Sequence, residues 1–393
     1  MKNIFKTIGL ILLLMGSSTI LVAQNKPYKT VLTELQTLQK KLLPDKRDAI
    51  LTFDFRDTLQ PKAVLFGETS LPEAKEQIIA QLQAENIQFT DSLRVLPSAI
   101  LGEKTWALAN LSVSNMRALP SDASELVSQV MLGTPLRVLD YNNKWYRIQT
   151  PEKYIGYMDT AGLKLLTDQE MENWKQANRY VFDEIAGFVY QSPHRNAEIV
   201  SDLIMGDIFV VEGKKGKYLN IKFPDGRTGY VLKSQCISFN EWIQREPNAK
   251  NITSTAKQMM GSPYLWGGAS GKATDCSGYV KLVFYRYGVI LTRDASQQFR
   301  YGDVVDFTNR ENLNAGDLLF FGKSAARVTH VGIYLSDENF IHSSGRVHVS
   351  SIDPASPKFH SARNTVGAKR IINAKNTEGI VKVKNHPWYC IPQ

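Results

Sequence analysis

Apolar and polar positions along the chain follow three different rhythms. Leucines at helical spacing (Leu32, Leu35, Leu38, Leu42) and a second helical stretch from Pro72 to Glu85 flank alternating segments at Ile50 to Phe55 and Ala63 to Phe66. That pattern predicts a small α+β unit over residues 27–105. Beyond it the period shortens to two, with turn residues at close intervals, and the pattern then repeats itself. Shifted by 73 positions, two segments align without a gap over roughly forty residues. Pro-Ser-Asp-Ala-Ser-Glu125-Leu-Val-Ser-Gln-Val-Met-Leu-Gly133 stands against Pro-His-Arg-Asn-Ala-Glu198-Ile-Val-Ser-Asp-Leu-Ile-Met-Gly206, and both copies close on Gly-Tyr, at Tyr157 and Tyr230. Each predicts a small all-β barrel of about five strands, giving tandem barrels over 106–168 and 178–240. From 251 to 374 a helix, a glycine-rich loop, a second helix and then strands predict a further α+β unit. The chain is thus expected to be an α+β multidomain protein. The tail from Asn376 is polar apart from Trp388, Tyr389 and Ile391, and no role is assigned to it.

Composition and the first residues place this architecture. A chain of 393 residues, 43% hydrophobic and 22% charged, has more length than one core uses. Its formal charge of +9 is spread out rather than collected in runs, which excludes a basic nucleic-acid arm, and no nucleic-acid partner is expected. Lys2 and Lys6 precede an apolar run from Ile8 to Val22, which predicts a secretory signal peptide over 1–23 with cleavage after Ala23. Leu21, rather than a small residue, stands at the minus-three position. The expected product is exported to the periplasm or cell envelope, has no membrane association after cleavage, and is a monomer. Three cysteines, Cys236, Cys276 and Cys390, are too few and too odd in number for a disulfide framework. If a bridge forms, Cys236 and Cys390 are the pair, because the surroundings of Cys276 point to chemistry.

Those surroundings are Gly261-Ser-Pro-Tyr264-Leu-Trp266-Gly267-Gly268, followed by Asp275-Cys276-Ser277-Gly278 and an apolar face of Val280, Val283, Phe284 and Tyr287. A glycine-rich loop therefore feeds a helix at its cysteine, with Gly288 as the stop. A thiol there faces the positive end of the helix dipole, which is expected to lower its pKa, and the same amides can serve as an oxyanion hole. A nucleophilic thiol needs a base, and the base needs an orienting partner. His330 in Thr329-His330-Val-Gly-Ile-Tyr334 and His342 in Phe340-Ile-His342 lie on consecutive alternating segments joined by a turn at 337–339, so adjacent strands bring them together. His348 lies on the same face as His342 and competes with it for the third role. His194, His360 and His386 have no chemical context and read as surface-loop residues. A cysteine at a helix start is most often buried core; two downstream histidines and the Asp-Cys-Ser-Gly box set this one apart. Asp317 after Gly316 reads as a turn residue.

In these motifs, and in the strand Gly316-Asp317-Leu-Leu-Phe-Phe321, residues 251–374 resemble the NlpC family of papain-like cysteine peptidases. The two repeats are similar to bacterial SH3-like barrels, with an Asn115-Met116-Arg117 strand well matched only in the first copy. The resemblance implies an exported hydrolase and thiol protease with Cys276, His330 and His342 as triad. It would cleave peptidoglycan stem peptides between γ-D-glutamate and an L-diamino acid, with no metal or cofactor. It further implies that the first barrel closes one end of the cleft, restricting it to peptides with a free N-terminal L-alanine. Asp275, Ser277 and Asp294 would hold the alanine ammonium, Tyr264 and Trp266 would line the cleft, and Glu125 with a barrel tyrosine would complete the cage. Glu125 has a repeat counterpart in Glu198, so barrel architecture alone could account for it, whereas Tyr154 faces Arg227; Tyr157 stays open as the alternative tyrosine. Two other readings remain. One is a catalytically idle wall-binding protein, and the other an amidase or acyltransferase on the same scaffold.

Overall fold

The computed structural model describes residues 26–59, 62–374 and 376–391, so the segment expected as a signal peptide lies outside the described residues. The first unit carries helices Tyr28–Leu42 and Pro72–Ala84 on a sheet ordered Leu51–Arg56, Ala63–Thr69, Phe89–Val95. The first two strands pair antiparallel; the last two are parallel, joined through the helix Pro72–Ala84 as a parallel pair requires. Strand Phe89–Val95 went unanticipated because its Thr-Asp-Ser run buries almost nothing except Leu93. Val31, Leu35, Ile78 and Leu82 from the two helices fill the core against Leu51 and Leu65.

Each barrel is a sheet of seven strands rather than five. In the first, Val113–Arg117, Leu126–Met131, Pro135–Asn142, Trp145–Gln149 and Ile155–Asp159 lie between a leading strand Trp106–Ala109 and a closing strand Leu163–Leu166. Every strand of the second barrel begins 73 residues later, from Arg179–Phe182 to Cys236–Ser238, and the strand order within the sheet is the same. The repeat in structure is therefore longer than the repeat in sequence. Trp-Ala-Leu-Ala and Arg-Tyr-Val-Phe occupy equivalent strands without sharing a residue, because a sheet demands alternation more than identity. A helix Asp168–Gln176, opened by a capping box between Thr167 and Glu170, links the two barrels.

The last unit packs helices Ala249–Gln258 and Cys276–Tyr285 against a six-stranded antiparallel sheet. The sheet order is Asp303–Val305, Asn364–Arg370, Leu318–Gly322, Val328–Ser336, Asn339–Ser344, Arg346–Ser351. Its core is continuous with both barrels, since Leu108 and Met131 of the first and Ile204 and Ile208 of the second join the cluster around Val280 and Val283. The tail is part of this body. Ile380–Lys382 pairs with Val289–Leu291, Tyr389 is fully buried with its hydroxyl 3.2 Å from that of Tyr285, and Trp388 meets Trp106 of the first barrel edge-on at 5.3 Å. His386, expected on a surface loop, is instead buried, with Nε2 donating to the carbonyl of Pro151 in the first barrel at 3.1 Å.

Cys236, Cys276 and Cys390 are all free thiols, so the Cys236–Cys390 bridge is not formed. Each of the two is satisfied locally, Cys236 by the Leu232 carbonyl in the second barrel and Cys390 by that of Val383 in the tail. Among the described residues no helix is long and apolar enough to cross a membrane.

Candidate active site

Cys276 opens its helix because Asp275 caps it, the carboxylate accepting from Gly278 N–H at 2.8 Å. The loop before it is held down by the first barrel. Gly267 adopts φ +78°, and a Cβ there would stand 2.1 Å from the Leu126 carbonyl oxygen, so only glycine allows barrel and loop to approach this closely. Nearby, Gln129 of the barrel accepts from Ala269 N–H and from the Ser270 hydroxyl at 3.2 and 2.8 Å.

Strands Val328–Ser336 and Asn339–Ser344 pair antiparallel, which places His330 and His342 side by side. His330 Nε2 lies 2.6 Å from His342 Nδ1, and His342 Nε2 lies 2.9 Å from the Ser350 hydroxyl oxygen. His348 pairs across the strand from His342 but turns Nδ1 to the Arg346 carbonyl, so it does not bond to His330. His360, expected on a surface loop, is half-buried and stacks on His330 at 5.5 Å and 23°. The sequence held no signal for this, since His360 lies beyond the paired strands.

The hydrogen-bond line fixes the protons. For the Nδ1 of His330 to accept from a thiol, its Nε2 must carry hydrogen and donate to His342 Nδ1. His342 must then be protonated on Nε2 and donate to Ser350. Burial opposes charge on every member when taken alone. It pushes the Cys276 thiol up to about 11, with Asp275 adding to the rise and backbone bonds to Val331 and Ser277 opposing it. It lowers His330 to about 3 and His342 to about 2, with neighbouring cationic groups adding to both shifts. Burial thus outweighs the expected lowering of the thiol by the helix N-terminus, and the neighbouring Asp275 carboxylate adds to the rise. A proton passing from Cys276 to His330 would create both charges together, each compensating the other.

Around Cys276 lies a cleft of about 450 Å³, lined by Tyr264, Trp266, Glu125, Tyr154, Asp294 and His330 among others. Glu125 of the first barrel accepts from Trp266 Nε1–H at 2.6 Å. Tyr154 reaches the cleft and donates its hydroxyl to Asp294 at 3.3 Å. Tyr157 faces away, accepting from Arg147 Nε–H at 2.8 Å beside a different groove. Asp275 and Ser277 also border the cleft, but their polar atoms are engaged. Asp275 accepts from Gly267 N–H, Gly278 N–H, the Ser277 hydroxyl and both terminal nitrogens of Arg293, the shortest at 2.6 Å. Arg293 is fully buried and also donates to Ser277 and to Ser128 of the first barrel. The carboxylate expected to face an ammonium is therefore already paired with a buried guanidinium. Arg293 adjoined Asp294 in the sequence motif, yet only the fold shows what it binds.

Two more guanidinium groups border the cleft. Arg363 stands beside the histidines. Arg47 comes from the first unit and donates to Asp294 at 2.7 Å and to Ser296 at 3.0 Å. Asp317 is buried and paired with Arg370 at 2.8 Å, away from this cleft, in keeping with a structural role.

Residues 261–379 match the model of the NlpC/P60 family, and residues 116–163 match that of the bacterial dipeptidyl-peptidase Sh3 domain. A gamma-D-glutamyl-L-lysine dipeptidyl-peptidase of Bacillus cereus is 27% identical over 271 residues, covering 64% of this chain and 78% of its own. Dipeptidyl-peptidase 6 of Lysinibacillus sphaericus is 28% identical over 268 residues, covering 64% of this chain and 94% of its own. The crystal structure of an NlpC/P60 family protein from Bacillus cereus superposes with a TM-score of 0.59 at 21% identity, over 68% of this chain and 99% of that one, a likeness of fold. The chain carries an NlpC/P60 domain behind a dipeptidyl-peptidase-type SH3 barrel, and it is a cysteine peptidase.

Proposed function

We propose that this NlpC/P60 cysteine peptidase hydrolyses the bond between γ-D-glutamate and an L-diamino acid in peptidoglycan stem peptides that present a free N-terminal L-alanine. The observation that carries this reading is the shape and charge of the cleft. Cys276 and His330, the latter backed by His342, share it with a second group contributed jointly by the first barrel and the peptidase unit, comprising Glu125, Tyr154 and Asp294. A carboxylate pair with a tyrosine suits an ammonium, each charge-assisted hydrogen bond contributing roughly 1.5–3 kcal/mol. The activities named for the two relatives point the same way.

In this mechanism Cys276 Sγ attacks the γ-carbonyl carbon as its proton passes to His330 Nδ1. Amide hydrogens at the head of the helix stabilise the oxyanion. The protonated His330 then gives that proton to the departing amine of the diamino acid, leaving a thioester. Water, deprotonated by His330, cleaves the thioester and regenerates the thiol. His342 holds the base in the required tautomer throughout. Tyr264 and Trp266 flank the peptide, and the ammonium falls chiefly to Asp294 and Glu125, while Asp275 and Ser277, both bonded to Arg293, border the same cleft. With Lys2, Lys6 and the apolar run that follows, the site of action is the periplasm or cell envelope, in turnover or recycling of wall peptides.

The test is cleavage of L-Ala-γ-D-Glu-diaminopimelate by the purified protein, followed by mass spectrometry, beside the same peptide N-acetylated. Cleavage of the free peptide with little of the acetylated one is expected. No cleavage of either refutes the activity, and equal rates refute the ammonium-selective cleft.

A further inference from the structure

Neither matched family segment reaches residues 1–115, yet the loop between helix Tyr28–Leu42 and strand Leu51–Arg56 reaches the cleft. Its backbone is anchored on the first barrel, where the Arg47 carbonyl accepts from Ile155 N–H at 3.2 Å and that of Asp48 from Gln149 at 2.8 Å. Its side chains engage the peptidase unit. Asp45 pairs with Arg300 at 2.9 Å, Asp48 accepts from Gln297 at 2.8 Å, and Arg47 Nη1 donates to Asp294 Oδ2 at 2.7 Å. Asp294 Oδ2 is the same oxygen that accepts from Tyr154.

We propose that Arg47 is an internal cation that occupies Asp294 in the free enzyme and is displaced by the N-terminal ammonium of the substrate, making the first domain a specificity-determining part of the cleft. The inference rests on the ammonium-binding role proposed above for Asp294. Three features support displacement over permanent pairing. Arg47 and Tyr154 already share one oxygen of a carboxylate that is about a third exposed, with a side-chain exposure of 30%. The same guanidinium holds Asp45 by two further bonds, Nε to Oδ1 at 2.8 Å and Nη2 to Oδ2 at 2.6 Å, so leaving Asp294 does not strand a charge. The exchange also conserves charge at Asp294, one cation replacing another. Only a ligand bearing its own ammonium in that position balances the carboxylate once Arg47 withdraws. An N-acylated peptide cannot, and it meets Asp294 already neutralised. No covalent step is involved.

Two substitutions with opposite expected signs test this in a Cys276→Ala background, by calorimetric titration with L-Ala-γ-D-Glu and with its N-acetyl form. Arg47→Ala removes the competitor and is expected to tighten the free dipeptide about fivefold. Asp45→Asn removes the second anchor, leaving Arg47 to rely on Asp294, and is expected to weaken the same ligand by a similar factor. Both are expected to leave the N-acetyl form unchanged. Weakening by both substitutions shows that Arg47 merely positions Asp294 and overturns the proposal, as does an equal effect on the two ligands. Thermal melts of both variants identify a loss of folding, and the Asp45→Asn side chain keeps the shape of the native one. Binding that follows the expected signs in a protein whose native form cleaves no stem peptide leaves this inference standing and refutes the activity. Absence of binding in all variants, Arg47→Ala included, refutes this inference, and the cleavage assay on the native protein decides the activity separately.

Discussion

Replacing Ser350 with alanine tests the proton line at its far end. Ser350 is buried with its hydroxyl oxygen 2.9 Å from His342 Nε2, accepting from it in the tautomer that leaves His330 Nδ1 free to accept, while His342 itself has no exposed surface. Without the hydroxyl, a buried N–H loses its partner, at a cost of about 1–3 kcal/mol. His342 can relieve that cost by moving its proton to Nδ1. There, however, it faces His330 Nε2 at 2.6 Å, and two hydrogens cannot occupy that gap. His330 must then carry its proton on Nδ1, where it can no longer accept from Cys276. A tilt of 1–3 kcal/mol toward this inactive tautomer lowers the competent fraction roughly 5- to 150-fold. Because Ser350 does not line the cleft, the loss is expected in kcat with KM little changed. Steady-state kinetics on the free tripeptide measures this, and imidazole ¹⁵N resonances report the tautomer directly. Ser350→Thr, which keeps an oxygen in place, is expected to restore most of the activity. A kcat within twofold of the native value, or a loss confined to KM, would falsify the relay.

Three further expectations follow from contacts elsewhere. Gly267→Ala places a methyl group against the Leu126 carbonyl at a positive φ and is expected to destabilise the protein by about 2–4 kcal/mol, read as a lower urea midpoint; an unchanged midpoint contradicts the close approach of barrel and loop. Arg293→Met leaves the buried Asp275 carboxylate without its cation and is expected to cost about 3–5 kcal/mol, with activity lost even where the protein still folds. His386 is held neutral, Nε2 donating to Pro151 and Nδ1 accepting from Trp388 N–H, and burial lowers its pKa. The unfolded chain therefore binds the proton first, so this contribution is complete above about pH 6.5 and is lost as pH falls below it. His386→Gln is expected to flatten the decline of melting temperature between pH 7 and 5, and a slope identical to the native one refutes the assignment.

The sequence located the candidate site more fully than it did the architecture. Cys276, His330 and His342 were legible because each sits in a local motif whose periodicity also predicts its helix or strand. The barrels were legible as a pair, because an ungapped shift needs no knowledge of the fold. Their outer strands were not, since Trp106–Ala109 and Arg179–Phe182 keep only alternation. Residues that act across domains were the least legible. Arg47 and Asp294 are 247 positions apart, and nothing in either neighbourhood names the other. Asp275 shows the opposite difficulty: its motif was plain, but the fully buried Arg293 that claims it turns a candidate ligand contact into the base of the helix. Local pattern reports what a residue can do, and packing decides which of those things it is free to do.

The tail strap sets an order on assembly. Tyr389 and Trp388 tie the first barrel to the peptidase unit, but they follow Trp106 in the chain by more than 280 residues. Barrel strands and helices can form from neighbours as synthesis proceeds, whereas this closure waits until the segment beyond Asn376 has emerged. Closure between these distant parts of the chain is thus among the last things it completes.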